Sequence, residues 1–121
     1  MSYLITVNTR PETTPVETKA APDRLISGDP SYLTWALDAS REDATDGKVR
    51  TGVWQATAGE TISIKGTTFE FCHILEGHIE IEEDGQAPVT YRAGDSFIMK
   101  PGFKGIWRTI ETVRKIYVIV G

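Results

Sequence analysis

Cysteine, histidine and long apolar runs are all scarce in this chain of 121 residues. A single cysteine, Cys72, rules out an intramolecular disulfide and any cysteine-cluster metal site. No apolar stretch approaches the roughly 20 residues that a membrane-spanning helix needs. Met1 to Val7 has neither a basic leader nor a long apolar core, so no signal peptide is expected and a cytoplasmic location follows. Basic charge is also short: 13 Lys and Arg stand against 17 Asp and Glu, a net charge of −4. Nucleic acid and anionic membrane are therefore not expected as partners, since phosphate binding needs a concentrated basic surface. Nucleophile-elbow, phosphate-loop and serine-triad patterns are missing, as are repeats and low-complexity tracts.

What remains is the pattern of a small all-β domain. The length suits one core and is too short for two. Residues 1–27 read as an arm: a β-like run from Tyr3 to Val7, then a polar stretch that Pro11, Pro15 and Pro22 keep extended and out of any central strand. From residue 28 a single domain is expected. Tyr32 to Leu37 is a candidate strand, and Asp38 to Lys48 reads as a polar loop. From Val49 onward, strand candidates arrive about every ten residues, the spacing of a sandwich or barrel. They are Arg50 to Thr57, Thr61 to Lys65, Phe69 to Leu75, His78 to Glu82, Val89 to Arg92, Ser96 to Met99, Lys104 to Ile110 and Arg114 to Val120. Turn chemistry separates them, as at Asp84-Gly85 and Pro101-Gly102.

The stretch from Phe69 to Ile81 organises the rest. Phe69, Phe71, His73 and Leu75 share one face of a strand, and Glu70, Cys72 and Ile74 share the other. Both faces are largely apolar, as expected of a strand covered on both sides. Beyond Gly77 the apolar phase passes to Ile79 and Ile81. Glu70 is thus an acid inside an apolar strand, a costly placement unless the charge is paired, coordinated or neutralised.

Two segments resemble the cupin superfamily. Glu70 followed six residues later by Gly77 is similar to the end of the first cupin motif. Gly94-Asp95 with Pro101-Gly102 is similar to the second, its proline one place late. The wording of Glu70 to Gly77, Gly94 to Phe97, Gly102 to Trp107 and Glu111 to Tyr117 resembles small cupins related to ureidoglycine aminohydrolase. The resemblance spans about residues 28 to 120 and implies a double-stranded β-helix, the RmlC-like jelly-roll barrel. It also shows what this chain has lost. The family's paired histidines fall on Ile64 and Gly66, or on Ser63 and Lys65, and its late histidine falls on Gly105. His73 points away from Glu70, and His78 lies past the Gly77 corner. The resemblance therefore implies no resident metal or other cofactor, and the aminohydrolase activity is not carried over.

Five residues are candidates for a site. Glu70 reads either as a pocket acid or base, or as one half of an ion pair with Lys65 or Lys100. Trp107 shares a strand face with Gly105 and Thr109, where it lines a pocket or fills the core. Cys72, beside a carboxylate and apolar walls, reads as an inert thiol on the Glu70 face. The expected function is the binding of a small-molecule ligand, with metal-independent proton transfer at Glu70 or an atypical metalloenzyme as alternatives. The Phe71, His73 and Leu75 face predicts a homodimer, with Tyr3 to Val7 laid across the partner.

Overall fold

The computed structural model describes the backbone of residues 4–41 and 48–121, and the side chains of 4–37 and 48–121. Among the described residues every regular element is a strand: β1 (Val16–Lys19), β2 (Leu25–Gly28), β3 (Ser31–Arg41), β4 (Val49–Ala56), β5 (Gly59–Ile64), β6 (Phe69–Glu83), β7 (Val89–Arg92), β8 (Ser96–Met99) and β9 (Lys104–Val120). None is a helix long and apolar enough to cross a membrane.

One antiparallel sheet curls on itself. Its order is β1-β3-β4-β9-β5-β2, and β6 pairs with β7, β8 and β9. The two longest strands, β6 and β9, form the spine. β6 runs along almost all of β9, from Phe69 opposite Val120 to Glu83 opposite Gly105. On its other edge β9 takes β5 along its first half and β4 along its second. Strand β9 therefore carries residues from two parts of the wall into one interior.

Alternation decides which residues those are. Along β6, Glu70, Cys72 and Ile74 are buried and their neighbours half-buried. At Gly77 the backbone takes φ = 99°, a left-handed value that glycine adopts without a Cβ penalty. The register shifts there, and burial resumes at Ile79 and Ile81. The expected break at this corner is a bend within one strand. Lys104 to Ile110 and Arg114 to Val120 likewise join into β9. The core gathers Ile74, Ile79, Val113 and Met99 with Phe97 and Trp107.

The leading segment contributes more than an arm. β1 and β2 occupy the two ends of the six-strand path, where flanking prolines break no central ladder. With β1 already on the β3 edge, residues 4–7 form no strand. Tyr3 and the 42–47 part of the expected loop lie outside the described residues, while 38–41 extend β3. Residues 9–13 cross the outside of their own barrel. The Trp35 indole N–H donates to the Thr13 carbonyl (2.9 Å), Arg114 donates to the Thr9 carbonyl (2.9 Å), and Arg10 pairs with Glu76 (2.8 Å). Trp35 and its cross-strand neighbour Val53 are buried on this outer side.

Candidate functional site: an ion triad under an aromatic wall

The interior opens as a cavity of about 480 Å³. β3 supplies Tyr32, Thr34 and Ala36; β4 supplies Arg50 and Trp54; β9 supplies Trp107, Lys115, Tyr117 and Ile119. Glu70 comes from β6 and Lys65 from the turn before it. Cross-strand register sets these side chains in rows. Arg50 and Glu70 both flank Ile119, and Trp54 lies opposite Lys115.

Glu70, 3% exposed, is the ionic centre of the cavity. One carboxylate oxygen accepts from Lys65 Nζ at 2.6 Å, and the other accepts from Lys115 Nζ at 2.7 Å. Burial alone would push the Glu70 carboxyl up. The charges and hydrogen bonds of Lys115 and Lys65 more than offset it, bringing the pKa from 4.5 down to about 2. Lys115 is buried as well, which works against its ammonium form. The sulfur of Cys72 and the Glu70 carboxylate outweigh that burial and hold its pKa above the ordinary lysine value. Glu70 is the partner that acts at neutral pH, because burial pushes the Cys72 thiol up to about 12. Cys72 donates to Glu70 at 3.2 Å from behind the carboxylate, outside the cavity lining.

Two indoles complete the setting. Lys115 Nζ lies 4.4 Å from the Trp54 ring centroid and 4.5 Å from that of Trp107. The two rings meet edge to face at 5.5 Å and 85°. Trp107 is anchored by its N–H to Thr109 Oγ1 (3.0 Å), and Tyr32 packs on Trp54 with centroids 5.3 Å apart. Cation–π attraction and the carboxylate thus act on the same ammonium.

Of the residues expected from sequence, Glu70, Lys65 and Trp107 meet in the cavity. Lys100 does not: it is exposed at the end of β8 and lines nothing there. Lys115, Arg50, Trp54 and Tyr117 are cavity residues that the sequence reading did not assign. A signal for Lys115 was present. It lies eight residues from Trp107, so an unbroken strand puts both on one face.

The donor set does not fit a cupin metal. Among the described residues no group of three or more His, Cys, Asp or Glu side chains is placed to hold an ion. A protonated lysine has no lone pair to offer, and both oxygens of Glu70 already accept from ammonium groups. Gly105, where the late histidine falls, has no room for a side chain, since a Cβ there would collide with the Glu82 carbonyl and Glu83 Cα.

Comparison with known proteins places these features. The family model for EutQ-like cupin domains matches residues 43–117. No curated protein sequence matches the chain. A Pseudomonas syringae pv. tomato protein of unknown function superposes with a TM-score of 0.79 at 24% identity; the match covers 94% of this chain and 46% of that one, so this chain spans under half of its length. The EutQ protein of Clostridium difficile gives 0.63 at 19% identity, covering 85% and 73%. A predicted oxalate decarboxylase from Thermotoga maritima gives 0.67 at 16% identity, covering 96% and 98%. At these identities the likeness is one of fold.

Two outcomes test the triad. Glu70→Gln keeps the volume but leaves Lys115 buried without its carboxylate, and is expected to cost on the order of 3–5 kcal/mol in denaturant melts. Lys65→Gln should cost far less, because Lys65 is more open to water and Lys115 still satisfies Glu70. The second outcome concerns acid. A carboxyl depressed from 4.5 to about 2 on folding adds stability that is complete above about pH 4.5 and is lost as pH falls towards 2. Urea unfolding between pH 6 and 2 should show a loss of about 3 kcal/mol in wild type that is absent in Glu70→Gln. Parallel pH profiles for the two proteins would contradict the triad.

Proposed function

This chain belongs to the EutQ-like cupin domain family, and we propose that it is a small-molecule-binding member whose ligand occupies the barrel cavity. The observation that carries this reading is the cavity itself. About 480 Å³ walled by aromatic rings, with a few charged groups at fixed positions, is the build of a small-ligand site. Glu70 serves there as a fixed charge. A carboxylate whose pKa lies near 2, clamped by two ammonium groups, is a poor proton acceptor at neutral pH, which favours binding over isomerase or lyase-type proton transfer. A thermal-shift screen of metabolites tests the reading. Hits should shift the melting temperature of wild type and lose that shift in Trp107→Leu, which removes one wall. A screen without hits, or hits indifferent to Trp107, would reject the cavity as the site.

We also propose that two copies pair through the face of β6 opposite Glu70. Phe71 there is in register with Ile98 of β8 and Val118 of β9, and Ile98 is 55% exposed. His73 is hydrogen-bonded to Ser96 Oγ on the same face (2.7 Å). Residues 9–13 bind their own barrel, which supports the sheet as the pairing surface. Light scattering at micromolar concentration should give a dimer mass for wild type and a monomer mass for Ile98→Lys; equal masses would refute the interface.

A further inference from the structure

The charge inside the cavity has the opposite sign to the charge of the chain. Four charged residues line it among those described: the cations Arg50, Lys65 and Lys115, and the single carboxylate Glu70. Two positive charges are left over, in a chain whose net charge is −4. The excess is not arranged to be cancelled from within. Glu70 spends one oxygen on each lysine, and among the described residues Arg50 forms no ion pair. Each ammonium carries three N–H groups and gives one to Glu70, so Lys65, the more open of the two, keeps donors to spare.

Position sharpens the point. Arg50 on β4 and Glu70 on β6 are both in register with Ile119 of the strand between them. Two strand spacings put their backbones roughly 10 Å apart, so the guanidinium and the Lys65–Glu70–Lys115 centre bracket the same stretch of wall. Trp54, Trp107 and Tyr117 add flat ring surface to the same lining, beside the hydroxyls of Thr34, Thr61 and Ser63. A guanidinium presents a planar fork that matches a carboxylate with two parallel hydrogen bonds.

Resting on the cavity-binding reading above, we propose that the ligand is an organic carboxylate with a flat, apolar body. Arg50 and Lys65 hold its carboxylate, and the indole and phenol rings cover the body. Glu70 keeps the two lysines in place and repels a ligand that would put its carboxylate against them from the wrong side. Cationic ligands are turned away by the charge left over.

The test uses four probes of similar size or charge: benzoate, benzamide, benzylammonium and inorganic phosphate. Each is titrated into the full chain at low ionic strength, followed by tryptophan fluorescence and calorimetry. Benzoate is expected to bind saturably and at least about tenfold more tightly than the neutral, cationic or phosphate probes, the scale of one or two charge-assisted hydrogen bonds. Arg50→Gln should weaken benzoate by about tenfold and leave the melting temperature unchanged, since Arg50 has no ion pair to lose among the described residues. Arg50→Lys should restore part of the affinity. Benzamide or benzylammonium binding as tightly as benzoate, or benzoate indifferent to Arg50→Gln, would overturn the anion assignment while the cavity remained a binding site. Phosphate binding as tightly as benzoate would overturn the carboxylate and its apolar body. If all four probes and the metabolite screen are silent, the cavity reading falls, and this inference with it.

Discussion

The rest of the interior depends on a buried carboxylate bonded to two ammonium groups. Glu70, Lys65 and Lys115 come from β6, from the turn before it and from β9, so the bonds tie a corner of the barrel to its central strand. Removing Glu70 would strand two ammonium groups in a medium that solvates them poorly, whereas removing Lys65 leaves a balanced Glu70–Lys115 pair. The aromatic rings are placed in relation to the same centre. Trp54 and Trp107 stand where they can face the Lys115 ammonium, and Thr109 fixes the indole that is deeper in the barrel. Ion pairing and packing are therefore one arrangement here, with the cavity as the space that it leaves.

That arrangement is the reverse of a metal site. A metal needs lone pairs converging on a point. The same region here offers hydrogen-bond donors converging on a carboxylate. Lys65 falls at a histidine position in one of the two spacings that the resemblance allows, and Gly105, where the late histidine falls, is pressed against the β6 backbone. The chemistry has changed from a set of acceptors around a cation to a set of cations around an acceptor.

Much of this was legible in the sequence, and the misses have physical reasons. The strands Val89–Arg92 and Ser96–Met99 coincide with expectation because glycine turns bound them and alternation fills them. Glu70 stood out because an acid interrupts an apolar face. Two long strands look like four short ones in the sequence: a glycine corner and a polar stretch resemble ends in one dimension, although backbone pairing continues through or around them. That error hid Lys115, whose inward phase can be counted from Trp107 only if β9 is unbroken. β1 and β2 left no trace, since all eight of their residues are exposed and edge strands without an inner face show no alternation. Lys100 looked as good a partner for Glu70 as Lys65 did, because spacing along a chain does not say which side of a turn a side chain leaves from.

The position of Lys115 has one more implication. Two indole faces and a carboxylate around an ammonium make the kind of host that elsewhere captures free methylated amines. Here the guest is covalently attached to the host. A tethered guest acts at a high effective concentration and cannot diffuse away, so no amine in solution competes with it on equal terms. With residue 115 shortened to a neutral stub, the two indoles and Glu70 would be left as an empty ammonium-sized subsite, in a cavity where Arg50 and Lys65 still outnumber the carboxylate.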